Sequence, residues 1–107
     1  MTQQGEYKVS QGSTTHGPDG EHHLIKGEGS SMRLWHNEQP QDTADKTPHA
    51  NAYETLGYVI QGKVELTVDG QTLTLEAGDS YRVPKGAEHT YRVLEVLNAV
   101  EVITPGE

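Results

Sequence analysis

Three side chains in the second half of this chain are of types that bind transition metals. His49 and Glu54 lie close together in sequence, and His89 follows much further along. Imidazole nitrogen and carboxylate oxygen accept divalent ions such as Mn, Fe, Ni or Zn, and two histidines with one carboxylate form the facial set of open-site iron. The chain has no cysteine, so disulfides and thiolate ligands are excluded. Whether these side chains meet depends on the elements that carry them.

The second half of the chain has the pattern of strands joined by tight turns. Apolar and polar residues alternate within residues 71–75, which predicts that Leu73 and Leu75 are buried. Asp69-Gly70 predicts a type I′ hairpin turn, because both central positions of that turn need positive φ. The expected strands cover residues 23–26, 31–36, 53–62, 63–68, 71–75, 80–83, 89–94 and 97–104. No segment in this half has helical spacing after a helix cap, so the predicted fold class is all-β, a sandwich or barrel.

Two motifs in this half give the pattern a more specific meaning. Gly78, five residues, Pro84, one residue, Gly86, two residues and His89 are similar to the second motif of the cupin family. The segment HANAYETLGYVIQG, which begins at His49, resembles the first motif of that family. The resemblance implies a cupin-type double-stranded β-helix, a small jelly-roll barrel of the RmlC-like kind.

The resemblance also implies a metal site, with His49, Asn51, Glu54 and His89 as the ligands in this chain. Asn51 stands where the family has its second histidine, and an amide oxygen is a weaker ligand. Glu54 lies one residue before the glutamate position of the family, which is Thr55 here. In a regular strand Glu54 faces away from His49 and Asn51, so only a β-bulge would turn it inward. His89 can equally be a hydrogen-bonded residue at the barrel mouth without any metal.

The pocket is expected to draw on aromatic side chains from the same strands. Tyr91 shares a face with His89, and Tyr53 shares a face with His49. His36 lies on a predicted strand that could reach the same cavity, so Tyr53, Tyr91 and His36 are the candidate pocket residues. The alternative for the tyrosines is that they fill the core of a chain without phenylalanine.

Three functions of different classes remain open at this point. The first is a metal-dependent enzyme of a kind that cupins support, a dioxygenase, decarboxylase, isomerase or lyase, with a divalent transition metal as its cofactor. The second is a binding module that holds a small molecule such as a sugar or an organic acid without a metal, which Asn51 favours. The third is a folded interaction unit with a vestigial cavity. Fold does not decide among them.

Composition limits the partners and the domain plan. The net charge of −8 repels phosphate backbones and anionic lipid, so neither nucleic acid nor membrane is an expected partner. No apolar run approaches the length that spans a bilayer, and we expect a cytoplasmic protein. Residues 1–20 are polar and are expected to form an arm, followed by one barrel domain over residues 21–107. The resemblance implies a homodimer, in which the arm segment Gln3–Thr14 could add a strand to the partner.

Overall fold

Strands make up most of the chain in the computed structural model, which describes residues 7–42 and 48–106. A short 3₁₀ turn, Gln11–Ser13, comes before the first strand. The strands are Thr15–His16 (β1), His22–Lys26 (β2), Ser31–Glu38 (β3), Glu54–Val68 (β4), Gln71–Glu76 (β5), Ser80–Val83 (β6) and His89–Thr104 (β7). The predicted all-β fold is confirmed, and its form is a jelly-roll barrel. Within the two described ranges there is no helix of the length and apolarity that a bilayer crossing requires.

Two long strands organise the sheet. β7 pairs antiparallel with β3 on one side and with β4 on the other. The first half of β4 also pairs with β6, and its second half pairs with β5. β1 and β2 extend the sheet beyond β3, so the strand order is β1-β2-β3-β7-β4-β5, with β6 beside β4. This arrangement places β3, β4, β6 and β7 around one interior.

The strands differ in length from the sequence-based expectation. The predicted strands 53–62 and 63–68 form one strand, because Gly62 adopts a φ of 95° and carries β4 through a shift of register. A side chain there would collide with the carbonyl oxygen of Val96, so the close approach of β7 requires glycine. Predicted strands 89–94 and 97–104 likewise form the single strand β7.

The hairpin turn is confirmed, and the prediction for one leucine beside it is wrong. Asp69 and Gly70 have φ values of 50° and 78°, as a type I′ turn requires. Leu75 is buried as predicted, whereas Leu73 is 37% exposed. β5 is an edge strand of the described sheet, so fewer neighbouring residues cover the Leu73 side chain near the hairpin tip.

The core lies between β4 and β7 and the shorter strands that pair with them. Its buried members are Val59, Val64, Leu66, Leu75, Val83, Val93, Leu97 and Ala99. Partly buried aromatic rings of Trp35, Tyr81 and Tyr91 pack against this cluster. These rings separate the apolar core from a polar group of buried side chains, which forms the candidate site.

The first twenty residues contribute little to that core. In the described part of this segment, residues 7–20, most side chains are exposed, and β1 pairs with β2 of the same chain. Residues 3–6 of the arm segment Gln3–Thr14 lie outside the described residues. The strand exchange between subunits therefore stays a prediction.

Candidate functional site

A cavity of about 50 Å³ opens inside the barrel beside the aromatic rings. Its described lining consists of Trp35, Glu38, Gln41, Val64, Tyr81, Tyr91, Val93, Leu97 and Glu101. The volume is several times the roughly 10–15 Å³ that one buried water needs, so it is large enough for a small molecule or the head group of a larger one. Apolar and aromatic walls with a few convergent polar groups are the usual composition of small-molecule sites.

Glu101 is the centre of the polar groups at this cavity. Its side chain is 1% exposed, and Oε1 accepts hydrogen bonds from Arg33 Nε at 2.7 Å and from Trp35 Nε1 at 3.0 Å. Oε2 accepts a hydrogen bond from the Tyr81 hydroxyl at 2.6 Å, and the Tyr91 hydroxyl interacts with the charge of the same carboxylate. A buried carboxylate is tolerated only with such partners. Three of its four partners are walls of the cavity.

The register of the sheet brings these residues together. Arg33 on β3 and Gly57 on β4 both lie directly opposite Glu101 on β7. Gly57 also lies opposite Tyr81 on β6, and a Cβ at Gly57 would overlap the Tyr81 ring. The missing side chain at Gly57 therefore lets the Tyr81 ring lie across β4 and reach the Glu101 carboxylate.

Arg33 lies behind the carboxylate rather than in the cavity. Its Nη1 donates to the Tyr53 hydroxyl at 3.3 Å, and its guanidinium carbon is 5.7 Å from the centre of the Trp35 ring and 5.5 Å from that of Tyr53. Burial opposes the charged form, yet the Glu101 charge and the hydrogen bonds to Glu101 and Tyr53 together outweigh it and raise the pKa of Arg33. The guanidinium thus stays charged and neutralises Glu101.

Both tyrosines of the cavity keep their protons. Burial raises the pKa of Tyr81 and Tyr91 well above the ordinary value, and the negative charge of Glu101 raises both further. Their hydroxyl groups therefore act as hydrogen-bonding groups and not as phenolates.

His49 and His89 come together beside this cavity. Their backbones form a bridge with N to O distances of 3.1 and 2.9 Å, and their ring centroids are 4.6 Å apart. His89 Nδ1 lies 3.0 Å from the Ala87 carbonyl oxygen, which can only accept, so Nδ1 carries the proton and Nε2 keeps its lone pair. His49 Nδ1 is buried and has no hydrogen-bond partner among residues 7–42 and 48–106. The His89 ring is 5.7 Å from that of Tyr91, which joins the pair to the cavity.

The other two predicted metal ligands do not complete a set with these histidines. Glu54 pairs in regular register with Thr104, lies 3.8 Å from Arg82 Nε and is 40% exposed, while its neighbour Thr55 is the buried residue. The backbone carbonyl of Asn51 accepts a hydrogen bond from the Gly86 amide, so the role of the Asn51 side chain as a ligand stays a prediction. No group of three His, Cys, Asp or Glu able to hold a metal occurs among residues 7–42 and 48–106. The described residues offer two imidazoles without a carboxylate and do not fit a two-histidine, one-carboxylate centre.

The three predicted pocket residues have separate locations. Tyr91 lines the cavity, whereas Tyr53 contacts Arg33 behind it. His36 is exposed, with Nδ1 3.0 Å from Asn98 Oδ1 and its ring 5.8 Å from the ring of His22. The sequence-based prediction did not name Arg33, Tyr81 and Glu101 as site residues.

The comparisons with known proteins agree on the fold and leave the function open. The cupin domain family model matches residues 35–103. The HTH-type transcriptional regulator PuuR of Escherichia coli (strain K12) is 31% identical in an alignment of 78 residues that covers 60% of this chain and 41% of that protein. The chain thus spans less than half the length of this curated relative.

Two solved structures resemble nearly the whole barrel. An RmlC-like cupin from Shewanella frigidimarina NCIMB 400 has a TM-score of 0.78 and 21% identity, with 97% of this chain and 95% of that chain covered. A variant of Streptomyces PAC13 with uridine has a TM-score of 0.77 and 14% identity, with 100% and 85% covered. At these identities the likeness shows the fold alone.

Proposed function

This chain belongs to the cupin domain family, and we propose that it binds a small organic molecule in the cavity beside Glu101 without needing a metal. The observation that carries the proposal is the buried Glu101 carboxylate, whose partners Trp35, Tyr81 and Tyr91 are themselves walls of the cavity. A buried ion pair is commonly no more stable than well-packed apolar residues of the same volume. A network that orients three cavity walls is therefore better explained by ligand binding than by stability.

The cavity has the parts that recognise a small molecule. Trp35, Tyr81 and Tyr91 supply flat apolar surface, and hydrogen bonds to Glu101 fix the polar atoms of Trp35 and Tyr81. Val93 and Leu97 close the apolar side. Preorganised groups of this kind lower the ordering cost of binding. The PAC13 structure with uridine supports the proposal in showing a similar barrel together with a small molecule.

Filling the cavity tests this proposal. Val93→Phe places a ring in the lining, and Val96→Phe makes the same change on β7 at a side chain that is 36% exposed. A small-molecule library is screened by ligand-observed NMR against metal-free wild-type protein. The hits are expected to lose binding in Val93→Phe and to keep it in Val96→Phe, with both variants checked for a folded spectrum.

Binding that survives in a folded Val93→Phe protein would place the ligand elsewhere and contradict the proposal. If Val93→Phe does not fold, Leu97→Met replaces it as a change of shape in the same wall. Hits whose affinity is unchanged in that variant would count against the cavity equally.

One observation favours a second candidate, a metal-dependent enzyme. In the part of the chain that the structure describes, the buried His49 Nδ1 has no hydrogen-bond partner, and His89 is fixed with Nε2 ready to bind, so the pair offers two ligand nitrogens. Dioxygenase, decarboxylase, isomerase and lyase activities of the kind predicted from the sequence would depend on such an ion. Elemental analysis of untagged protein tests this candidate. A near-stoichiometric transition metal that is lost in His49→Ala would support it, and metal-free protein with unchanged melting temperature after chelation would remove it.

A further inference from the structure

Gln41, one of the walls of the cavity, is fixed against β7 through both its backbone and its side chain. Its backbone N–H donates to the Val93 carbonyl at 2.8 Å, and its side-chain Oε1 accepts from the Val93 N–H at 3.0 Å. Its backbone carbonyl accepts from Arg92 Nε at 3.2 Å. Arg92 is held in turn, with Nη1 3.6 Å from Glu65 Oε1 on β4. The Gln41 amide group is therefore preorganised.

The pairing of the strands explains why a side-chain oxygen binds Val93. On one side Val93 pairs with Val64 of β4. On the other side the described pairing of β3 with β7 covers Leu97 to Ile103 and does not reach Val93. A buried backbone N–H needs an acceptor, because leaving it unpaired costs free energy. Gln41 lies where a strand partner would be, and its Oε1 accepts in place of a backbone carbonyl.

This arrangement leaves the Gln41 amide nitrogen as a donor in a fixed position. The Val93 N–H can only donate, so the amide atom that faces it is the oxygen, and the NH₂ group lies on the other branch of the amide. Among residues 7–42 and 48–106, Gln41 bonds to Arg92 and Val93, and neither partner uses Nε2. Because Gln41 and Val93 both line the cavity, the amide that joins them lies at its wall.

From this geometry we infer that the ligand of the cavity is a neutral carbonyl compound, a small ketone, aldehyde, ester or amide whose oxygen accepts a hydrogen bond from the Gln41 NH₂ group. The inference rests on the proposed function and narrows it. A buried carboxylate in the same place would need a cation, and the described lining contains no lysine, arginine or histidine. Val93 and Leu97 supply apolar surface for the carbon skeleton of the ligand.

Cyclopentanone and cyclopentanol are a matched pair of probes, because they share one ring and only the alcohol can donate a hydrogen bond. Each is titrated into the full chelator-treated chain at neutral pH and followed by the Trp35 indole N–H resonance, which is unique because the chain has one tryptophan. Gln41→Glu keeps an oxygen towards the Val93 N–H and replaces the NH₂ donor by a second acceptor. We expect this variant to bind cyclopentanone at least about fivefold more weakly than wild type, because the ketone oxygen loses its donor. Cyclopentanol, which can donate to the new carboxylate, should keep its affinity.

Gln39→Glu is the matched control, because it makes the same change of charge two positions away at an exposed glutamine. Gln39 Nε2 donates to the Asn37 carbonyl at 3.0 Å, and Gln39 is not part of the described lining. We expect this control to leave the affinities for both probes unchanged. Equal losses of cyclopentanone affinity in the two variants, or equal losses for the two probes in Gln41→Glu, would overturn the inference.

A measurement on the wild-type protein keeps the inference testable if Gln41→Glu does not fold. The side-chain N–H signals of Gln41 should move downfield when cyclopentanone is added, because a hydrogen bond to the ketone forms, while those of Gln39 should stay in place. Gln41 signals that do not respond to bound cyclopentanone would overturn the inference.

The two proposals fail in different ways. Library ligands that are lost in Val93→Phe but bind equally well to wild type and a folded Gln41→Glu protein, carbonyl compounds included, would overturn the carbonyl inference and leave the binding function intact. Ligands that bind regardless of Val93→Phe in a folded protein would remove the function itself. Failure of cyclopentanone to bind the wild-type protein would count against the carbonyl inference.

Discussion

Gly57→Ala is the change whose consequence the structure specifies most closely. The new methyl group would overlap the Tyr81 ring, so the ring must leave its place and release Glu101. A hydrogen bond to a charged group contributes about 1.5–3 kcal/mol, and overpacking a core costs about 1–3 kcal/mol. The expected loss in the free energy of unfolding is their sum, roughly 2.5–6 kcal/mol. For a domain this size that is a large part of the total, which is about 5–15 kcal/mol.

A double-mutant cycle isolates this clash from other effects of the substitution. Unfolding in urea is followed by the fluorescence of Trp35 for wild type, Gly57→Ala, Tyr81→Ala and the double variant. In the Tyr81→Ala background the ring is absent, so Gly57→Ala is expected to cost less than about 0.5 kcal/mol. Gly29→Ala is the control, because a Cβ there meets nothing within 4 Å. If Gly57→Ala costs as much without the Tyr81 ring as with it, the assigned role of Gly57 is wrong.

Three further predictions address ionisation and assembly. Tyr81 and Tyr91 have raised pKa values in the fold, whereas an unfolded tyrosine ionises near pH ~10. The free energy of unfolding should therefore fall as the pH rises above about 10. Ionisation of all five tyrosines of the folded protein near that pH in an ultraviolet titration would contradict this prediction. Partial burial lowers the pKa of His22, and the neighbouring His16 and His36 lower this pKa further. His16→Asn should therefore raise the pKa of His22 in an NMR titration. An unchanged pKa would show that His16 does not influence His22. The homodimer stays a prediction. Leu56 is 50% exposed on an outward apolar row of β4, so Leu56→Glu should convert a dimer mass to a monomer mass in light scattering. A monomer mass for the wild-type protein would refute the homodimer.

Local patterns in the sequence were sufficient to locate most of the strand residues and the turn. The Asp69-Gly70 hairpin depends on the φ preferences of two adjacent residues, and alternation reports which side chains share a face. The sequence did not reveal that β4 continues through Gly62, because this follows from the approach of β7. Strand length in this fold is set by distant partners.

The site was harder to predict because its members are far apart in sequence. Arg33 and Glu101 are separated by 68 positions, and the register of β3 on β7 alone makes them partners. One signal was present. Glu101 shares a strand face with Leu97, Ala99 and Ile103, and a carboxylate on an otherwise apolar face indicates a buried charge that needs partners. Identifying those partners required the folded sheet.

The metal hypothesis shows what the family motif could and could not predict for the histidines and for Glu54. Motif spacing brought His49 and His89 into consideration, and the structure does place their rings side by side. Strand alternation argued that Glu54 faces away, and the structure shows it beside Arg82, next to the buried Thr55. The family resemblance located the histidines, while the geometry of one regular strand decided the position of the carboxylate.

The most direct test of the account is a fluorescence titration of chelator-treated protein with the tightest-binding hit of the small-molecule library. Trp35 is the single tryptophan and lines the cavity, so its emission reports on this site alone. The account predicts a saturable change in Trp35 emission without added metal, which weakens in Tyr81→Phe and disappears in Val93→Phe. A flat titration that becomes saturable only after a transition metal is added would contradict the claim that the cavity itself is the binding site.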